Sequence, residues 1–147
     1  MTTFKRILLA TDFSDCSNHA LQIASELATQ FDAQLTLAHI WELPSYGYME
    51  AIALPVDLVD QVARAAEARM AETISSVKDR CPNSRSIVKM GSVVFELLKI
   101  VEDEKVDLVV LGTHGRRGLK RALLGSVAEK LVRTCPVPVL TAHGTEG

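Results

Sequence analysis

Three glycines and a serine stand in a spacing that suits phosphate chemistry: Gly112, Gly115, Gly125 and Ser126 form Gly-x2-Gly-x9-Gly-Ser. Glycines can take positive φ and let backbone N–H groups approach phosphate oxygens with no Cβ in the way. Gly125-Ser126 opens a helical pattern that runs to Thr134. The first N–H groups of such a helix are unpaired and carry the positive end of its dipole, and the Ser126 hydroxyl is a further donor. A lone Gly-x-x-Gly would read as a tight turn, whereas the three-part spacing reads as a phosphate cradle assembled from two places. Asp12, just after the first apolar run, has two readings, a cap for the following helix or a ligand contact at a strand's carboxyl end. His114 lies between the glycines, either against a ligand or exposed in a loop. Arg116, Arg117, Lys120 and Arg121 add charge near a polyphosphate or form a solvated run. His19 and His39 read as structural residues.

Other chemistries fit less well. There is no G-x-x-x-x-G-K-[ST] loop, and the turn after the first strand, Ala10-Thr-Asp-Phe-Ser14, lacks the glycines of a dinucleotide fingerprint. No H-E-x-x-H, no G-x-S-x-G elbow and no aspartate pair for a γ-phosphate metal is present, so neither catalytic residues nor protein metal ligands are assigned. The chain reads as a binder, with slow hydrolysis of a bound phosphate compound at most. Cys16, Cys81 and Cys135 are odd in number and far apart, as expected of free thiols in a reducing compartment. A net charge of -2 offers no cationic footprint for nucleic acid. No apolar run approaches the roughly 20 residues of a membrane span, and the opening residues lack a signal-peptide pattern. The expectation is a cytoplasmic protein with no membrane partner.

The elements that must position these residues alternate between strand and helix. Arg6–Thr11, Gln34–Ile40, Ser86–Met90, Asp107–Leu111 and Pro136–Ala142 read as strands. Helical spacing marks Ala20 to Phe31, Val56 to Arg80, Val94 to Val101 and Ser126 to Thr134. Trp41 to Pro55 is irregular and aromatic, suited to a mobile cover. Pro138 cannot donate to a ladder, which puts the fifth strand at an edge or on a bulge. The pattern predicts one α/β domain over residues 1–147: a doubly wound five-stranded parallel sheet, order 3-2-1-4-5, with helices on both faces. Its ligand crevice would lie between the first and fourth strands, lined by the loops from Asp12 and from Gly112.

The glycine spacing matches in full the nucleotide motif of ATP-binding universal stress proteins, which this chain resembles. The resemblance extends to Asp12, to Leu37-Ala-His-Ile40, to Asp107-Leu-Val-Val-Leu-Gly-Thr-His-Gly115 and to Cys135-Pro-Val-Pro-Val139, and so spans the chain. It implies that Ala10, Thr11 and Asp12 face the adenosine and that the Ile40 backbone meets the adenine edge. It further implies that Leu111 and Gly112 border ribose and phosphates, that His114 and Gly115 lie against the phosphates, and that Gly125, Ser126, Val127 and Ala128 close over them. Mg accompanying ATP would be held mainly by phosphate oxygens and water. Phe13 departs from the glycine that often follows the aspartate in such proteins, which puts the local loop shape in question. The implied role is a nucleotide-dependent stress or regulatory protein, a homodimer through its C-terminal edge strand, serving an unknown protein partner. The alternatives are an adenine-nucleotide hydrolase-like enzyme and a structural dimer that binds no nucleotide.

Overall fold

The computed structural model describes residues 3–43, 56–114 and 124–144. Strand β1 is Arg6–Ala10, helix α1 Asp15–Phe31, strand β2 Gln34–Trp41 and helix α2 Val56–Val77. Strand β3 (Arg85–Met90), helix α3 (Val93–Asp103), strand β4 (Leu108–Gly112), helix α4 (Ser126–Thr134) and strand β5 (Val139–Ala142) follow. The strands form one sheet in the order β3-β2-β1-β4-β5, every neighbouring pair parallel, as the alternating pattern predicts. β1 is central and almost wholly apolar because both its faces are covered. Ile7 and Leu9 pack with Ala20, Ala24 and Ala28 of α1 and with Met70 and Val77 of α2. Leu8 and Ala10 pack instead with Leu97, Ile100 and Val101 of α3 and with Ala128 and Leu131 of α4. Each such large side chain contributes ~1.5–3 kcal/mol by leaving water.

Register at the sheet's centre is fixed by an acidic side chain. The Asp107 carboxylate accepts the N–H groups of Lys5 at 2.8 Å and Arg6 at 3.1 Å. The Arg6 carbonyl accepts the Asp107 N–H in return, at 2.9 Å. Ile7 consequently stands opposite Leu108. A slip by one residue would turn every β1 side chain to the wrong face.

Several boundaries differ from the sequence expectation: β1 ends at Ala10, α1 begins at Asp15, β3 begins at Arg85, α3 spans Val93–Asp103 and β4 spans Leu108–Gly112, and three further ends differ as follows. β5 begins at Val139, not Pro136; the Pro138 carbonyl still accepts the Val109 N–H at 3.0 Å, and the strand does lie at the edge. α2 ends at Val77, short of Arg80, where its last turn tightens: the Ser75 carbonyl accepts the Lys78 N–H at 3.4 Å and the Val77 carbonyl the Arg80 N–H at 3.2 Å, each three residues on. β2 runs one residue further than expected, to Trp41, whose carbonyl accepts the Gly91 N–H. The expected cover over residues 44–55 and the segment 115–123, with Gly115, Arg116, Arg117, Lys120 and Arg121, lie outside the described residues. No described helix is long and apolar enough to cross a membrane.

Candidate functional site

From the carboxyl ends of β1 and β4 the chain goes on to opposite faces of the sheet, to α1 on one and to α4, beside α3, on the other. A cavity of about 530 Å³ opens there, a size suited to a small organic ligand. Part of its lining is apolar, from Ala10, Ala38, Ile40, Val93, Leu97 and Leu111, and part is polar, from Thr11, Asp12, Ser17, Thr113, His114 and the start of α4. Of the residues expected from sequence, Ala10, Thr11, Asp12, Ile40, Leu111, Gly112, His114, Gly125, Ser126, Val127 and Ala128 all line this cavity. Gly115 is outside the described residues.

Between its two readings, Asp12 is not the cap. Ser14 takes that position, its hydroxyl accepting the Ser17 N–H at 3.3 Å. Asp12 Oδ1 accepts the Ser14 N–H at 3.0 Å and the Ser17 hydroxyl at 2.7 Å, which ties the loop to the helix. The buried Ser17 hydroxyl also accepts the Asp12 N–H at 3.2 Å. The Ser14 N–H and the Ser17 hydroxyl therefore hold the carboxylate in place on the cavity wall.

Phe13 answers the question of loop shape. Its φ is 65°, the left-handed conformation that glycine adopts without strain. For a bulky residue that conformation costs about 1–2 kcal/mol. The cost is offset by packing: the ring is buried, lies 4.4 Å from the His39 ring between centroids, and has the Arg69 guanidinium carbon 4.9 Å from its centroid. The backbone is fastened as well, since the Thr11 carbonyl accepts His39 Nδ1–H at 2.7 Å and Thr11 Oγ1 accepts the Phe13 N–H at 3.0 Å. The loop thus has a glycine-like shape enforced by aromatic contacts, and His39 has the structural role expected of it.

The two described glycines of the motif do different physical work. A Cβ on Gly112 would stand 2.6 Å from Cys16 Cβ and 2.8 Å from the Cys16 carbonyl carbon. Gly112 is what lets the start of α1 lie against the end of β4. Gly125 is the N-cap of α4, with φ −62° and ψ 159°, an extended backbone that any residue adopts. What matters there is the missing side chain, because a glycine N-cap has no side-chain oxygen to give the first turn of α4. The Gly125 N–H is itself held by the Thr113 carbonyl at 2.6 Å, and the Thr113 N–H by the Ala142 carbonyl at 2.8 Å, so α4 starts from a fixed point.

Sequence reasoning passed over Ser17, Ala38, Thr113, Val93 and Leu97. Ala38 was recoverable, since it shares a strand face with Ile40. Val93 and Leu97 stand four apart on one helix face, a visible signal of burial but not of a cavity wall. Ser17 and Thr113 carry no sequence signal of their own.

A doubly wound sheet with a ligand-sized cavity at the point where its strand order reverses defines a class of α/β binding proteins. Within that class, the universal stress protein family model matches residues 3–143, and the chain belongs to this family. It is 35% identical over 145 residues to universal stress protein A homolog 2 of Coxiella burnetii, with 97% of each chain covered. Among solved structures it is similar to MJ0577, at TM-score 0.84 and 28% identity over 99% of this chain and all of that one; MJ0577 is a universal stress protein of Methanocaldococcus jannaschii. It also shares its fold with a universal stress protein of Arabidopsis thaliana solved with AMP bound, at TM-score 0.69 and 17% identity over 96% and 92% of the two chains.

Proposed function

We propose that the cavity binds ATP and that the protein is a nucleotide-dependent regulator of the stress response. The observation that carries this reading is that the start of α4, whose N-cap is a glycine with no side-chain cap to offer, lines a cavity with both polar and apolar walls. A planar base suits the apolar part of the lining, which includes Ile40, Val93 and Leu97. Asp12, an acceptor fixed by Ser14 and Ser17, suits ribose hydroxyls, which are donors. The N–H groups of Ser126, Val127 and Ala128, with the Ser126 hydroxyl, suit phosphate oxygens. Bound Mg would neutralise phosphate charge, held by phosphate oxygens and water. The AMP bound to the Arabidopsis relative supports an adenine nucleotide as the occupant. A ligand that binds the folded chain also stabilises it, so nucleotide level is converted into the order of the surface around the cavity.

The test compares wild type with Ser126→Pro. Proline is favoured at the first helical position, and the extended Gly125 tolerates a following proline. The variant therefore keeps its fold while losing one N–H and one hydroxyl donor. Nucleotide is first removed by denaturation and identified by chromatography, and ATP is then titrated calorimetrically into the refolded proteins. Wild type should bind, and the variant should bind at least tenfold more weakly with an unchanged melting temperature, since a hydrogen bond to a charged group is worth about 1.5–3 kcal/mol. No released nucleotide and no heat with wild type at millimolar ATP overturns the reading.

A further inference from the structure

Thr113 is 1% exposed and lies between two imidazoles. Its hydroxyl oxygen is 3.1 Å from Nδ1 of His114, which lines the cavity, and 3.4 Å from Nδ1 of His143, just past β5. A threonine hydroxyl has one proton to give and two lone pairs to receive. The hydroxyl therefore cannot donate to both Nδ1 atoms at once, because it has a single proton. The hydroxyl cannot turn away with its residue, since the Thr113 N–H is bound to the Ala142 carbonyl and its carbonyl holds the Gly125 N–H. His143 is fixed in turn, its carbonyl in contact with Nδ1 of His19 on α1.

We infer that Thr113 is a proton-sharing bridge through which the state of His114 in the cavity sets the tautomer of His143 at the end of edge strand β5. With Nδ1 engaged by Thr113, an oxyanion that meets a ring nitrogen of His114 does so through Nε2–H. Neutral His114 then has a bare Nδ1 and accepts the Thr113 hydroxyl proton. With its proton committed, the hydroxyl oxygen can only accept from the other side, which favours the His143 tautomer that carries its proton on Nδ1. Occupancy at one end of the bridge becomes a change of donor and acceptor at the other, with no displacement of the backbone. The inference deepens the nucleotide reading and rests on it for the identity of the oxyanion, though the bridge itself exists without a ligand.

The tautomers are read from long-range proton–nitrogen correlations of the four histidines at about pH 8.5, above the ordinary imidazole range near 6.5. Wild type, Thr113→Val and Thr113→Ser are compared, each empty and with ATP, and each with and without a second substitution His114→Ala. In wild type and Thr113→Ser, ATP should raise the Nδ1–H fraction of His143, and His114→Ala should move it in the empty protein. In Thr113→Val neither should change it. A His143 signal that ignores both ATP and His114→Ala in wild type, or that responds alike in Thr113→Val, overturns the bridge. If ATP does not bind, the nucleotide reading fails, and the empty-protein comparison still decides the bridge. Circular dichroism checks that each variant is folded, with Thr113→Ser as the rescue.

Discussion

Two helices begin at the same end of the sheet, and their first turns are finished in opposite ways. α1 is closed by its own chain, with Ser14 capping it and Asp12 and Ser17 joined in one hydrogen-bonded loop. α4 starts at a glycine, which has no side chain to cap its first turn, and the residues of that turn line the cavity. A capped start spends its donors on local stability, while an uncapped one keeps them for something else. The pair shows how one crevice acquires both an acceptor and donors: the self-satisfied loop presents a fixed carboxylate, and the open helix presents N–H groups.

Making α4 resemble α1 should have the largest effect. Gly125→Asp supplies a good N-cap whose carboxylate takes the first-turn N–H groups and repels phosphate. Calorimetry should show ATP affinity falling about 100-fold or more, a loss of about 2.7 kcal/mol, while thermal stability holds or rises slightly. An affinity within threefold of wild type would mean that the start of α4 is not where phosphate lies.

Unseating α1 comes next. Gly112→Ala places a methyl group within 2.8 Å of Cys16 backbone, where nothing flexible can give way. Urea denaturation should show a loss of about 1–3 kcal/mol, with nucleotide binding weakened only as far as the loop moves. Stability equal to wild type would show that α1 can shift without cost. The smallest effect sharpens the contrast at the cap itself: Ser14→Ala should cost about 1 kcal/mol of folding stability, since its hydroxyl receives the Ser17 N–H. A loss of binding far beyond that would show that Ser14 also positions Asp12 for the ligand.

The sheet was legible because β1 and β4 are short apolar runs between polar turns, and burial on both faces leaves few other readings of them. β5 was overextended because Val137 between two prolines looks strand-like in composition, while the ladder needs an N–H that Pro136 and Pro138 lack. The cavity's polar rim was legible at Asp12 and at Gly125-Ser126, whose types imply exposed donors and acceptors. Gly112 was legible only as a glycine: the same missing Cβ serves phosphate approach or helix seating, and only the position of Cys16 decides. Thr113 was invisible because its importance comes from partners at Ala142, His143 and Gly125, which the fold brings together from another strand and helix. Phe13 was flagged as a departure from glycine, yet its αL backbone depends on His39 and Arg69, which no local pattern could name.

The Asp107 clasp on the N–H groups of Lys5 and Arg6 joins residues 102 and 101 positions apart. During synthesis β1 is therefore made long before the strand that completes its other side. At 5–20 residues per second the wait is roughly 5–20 s. β2 follows much sooner, so the nascent chain can pair β1 on one edge while the other edge stays open. The cavity, which needs β1, β4 and the start of α4 together, is then among the last features to come into being. Nascent chains stalled before Asp107 would display β1 and the Asp12 loop without the helix start that faces them.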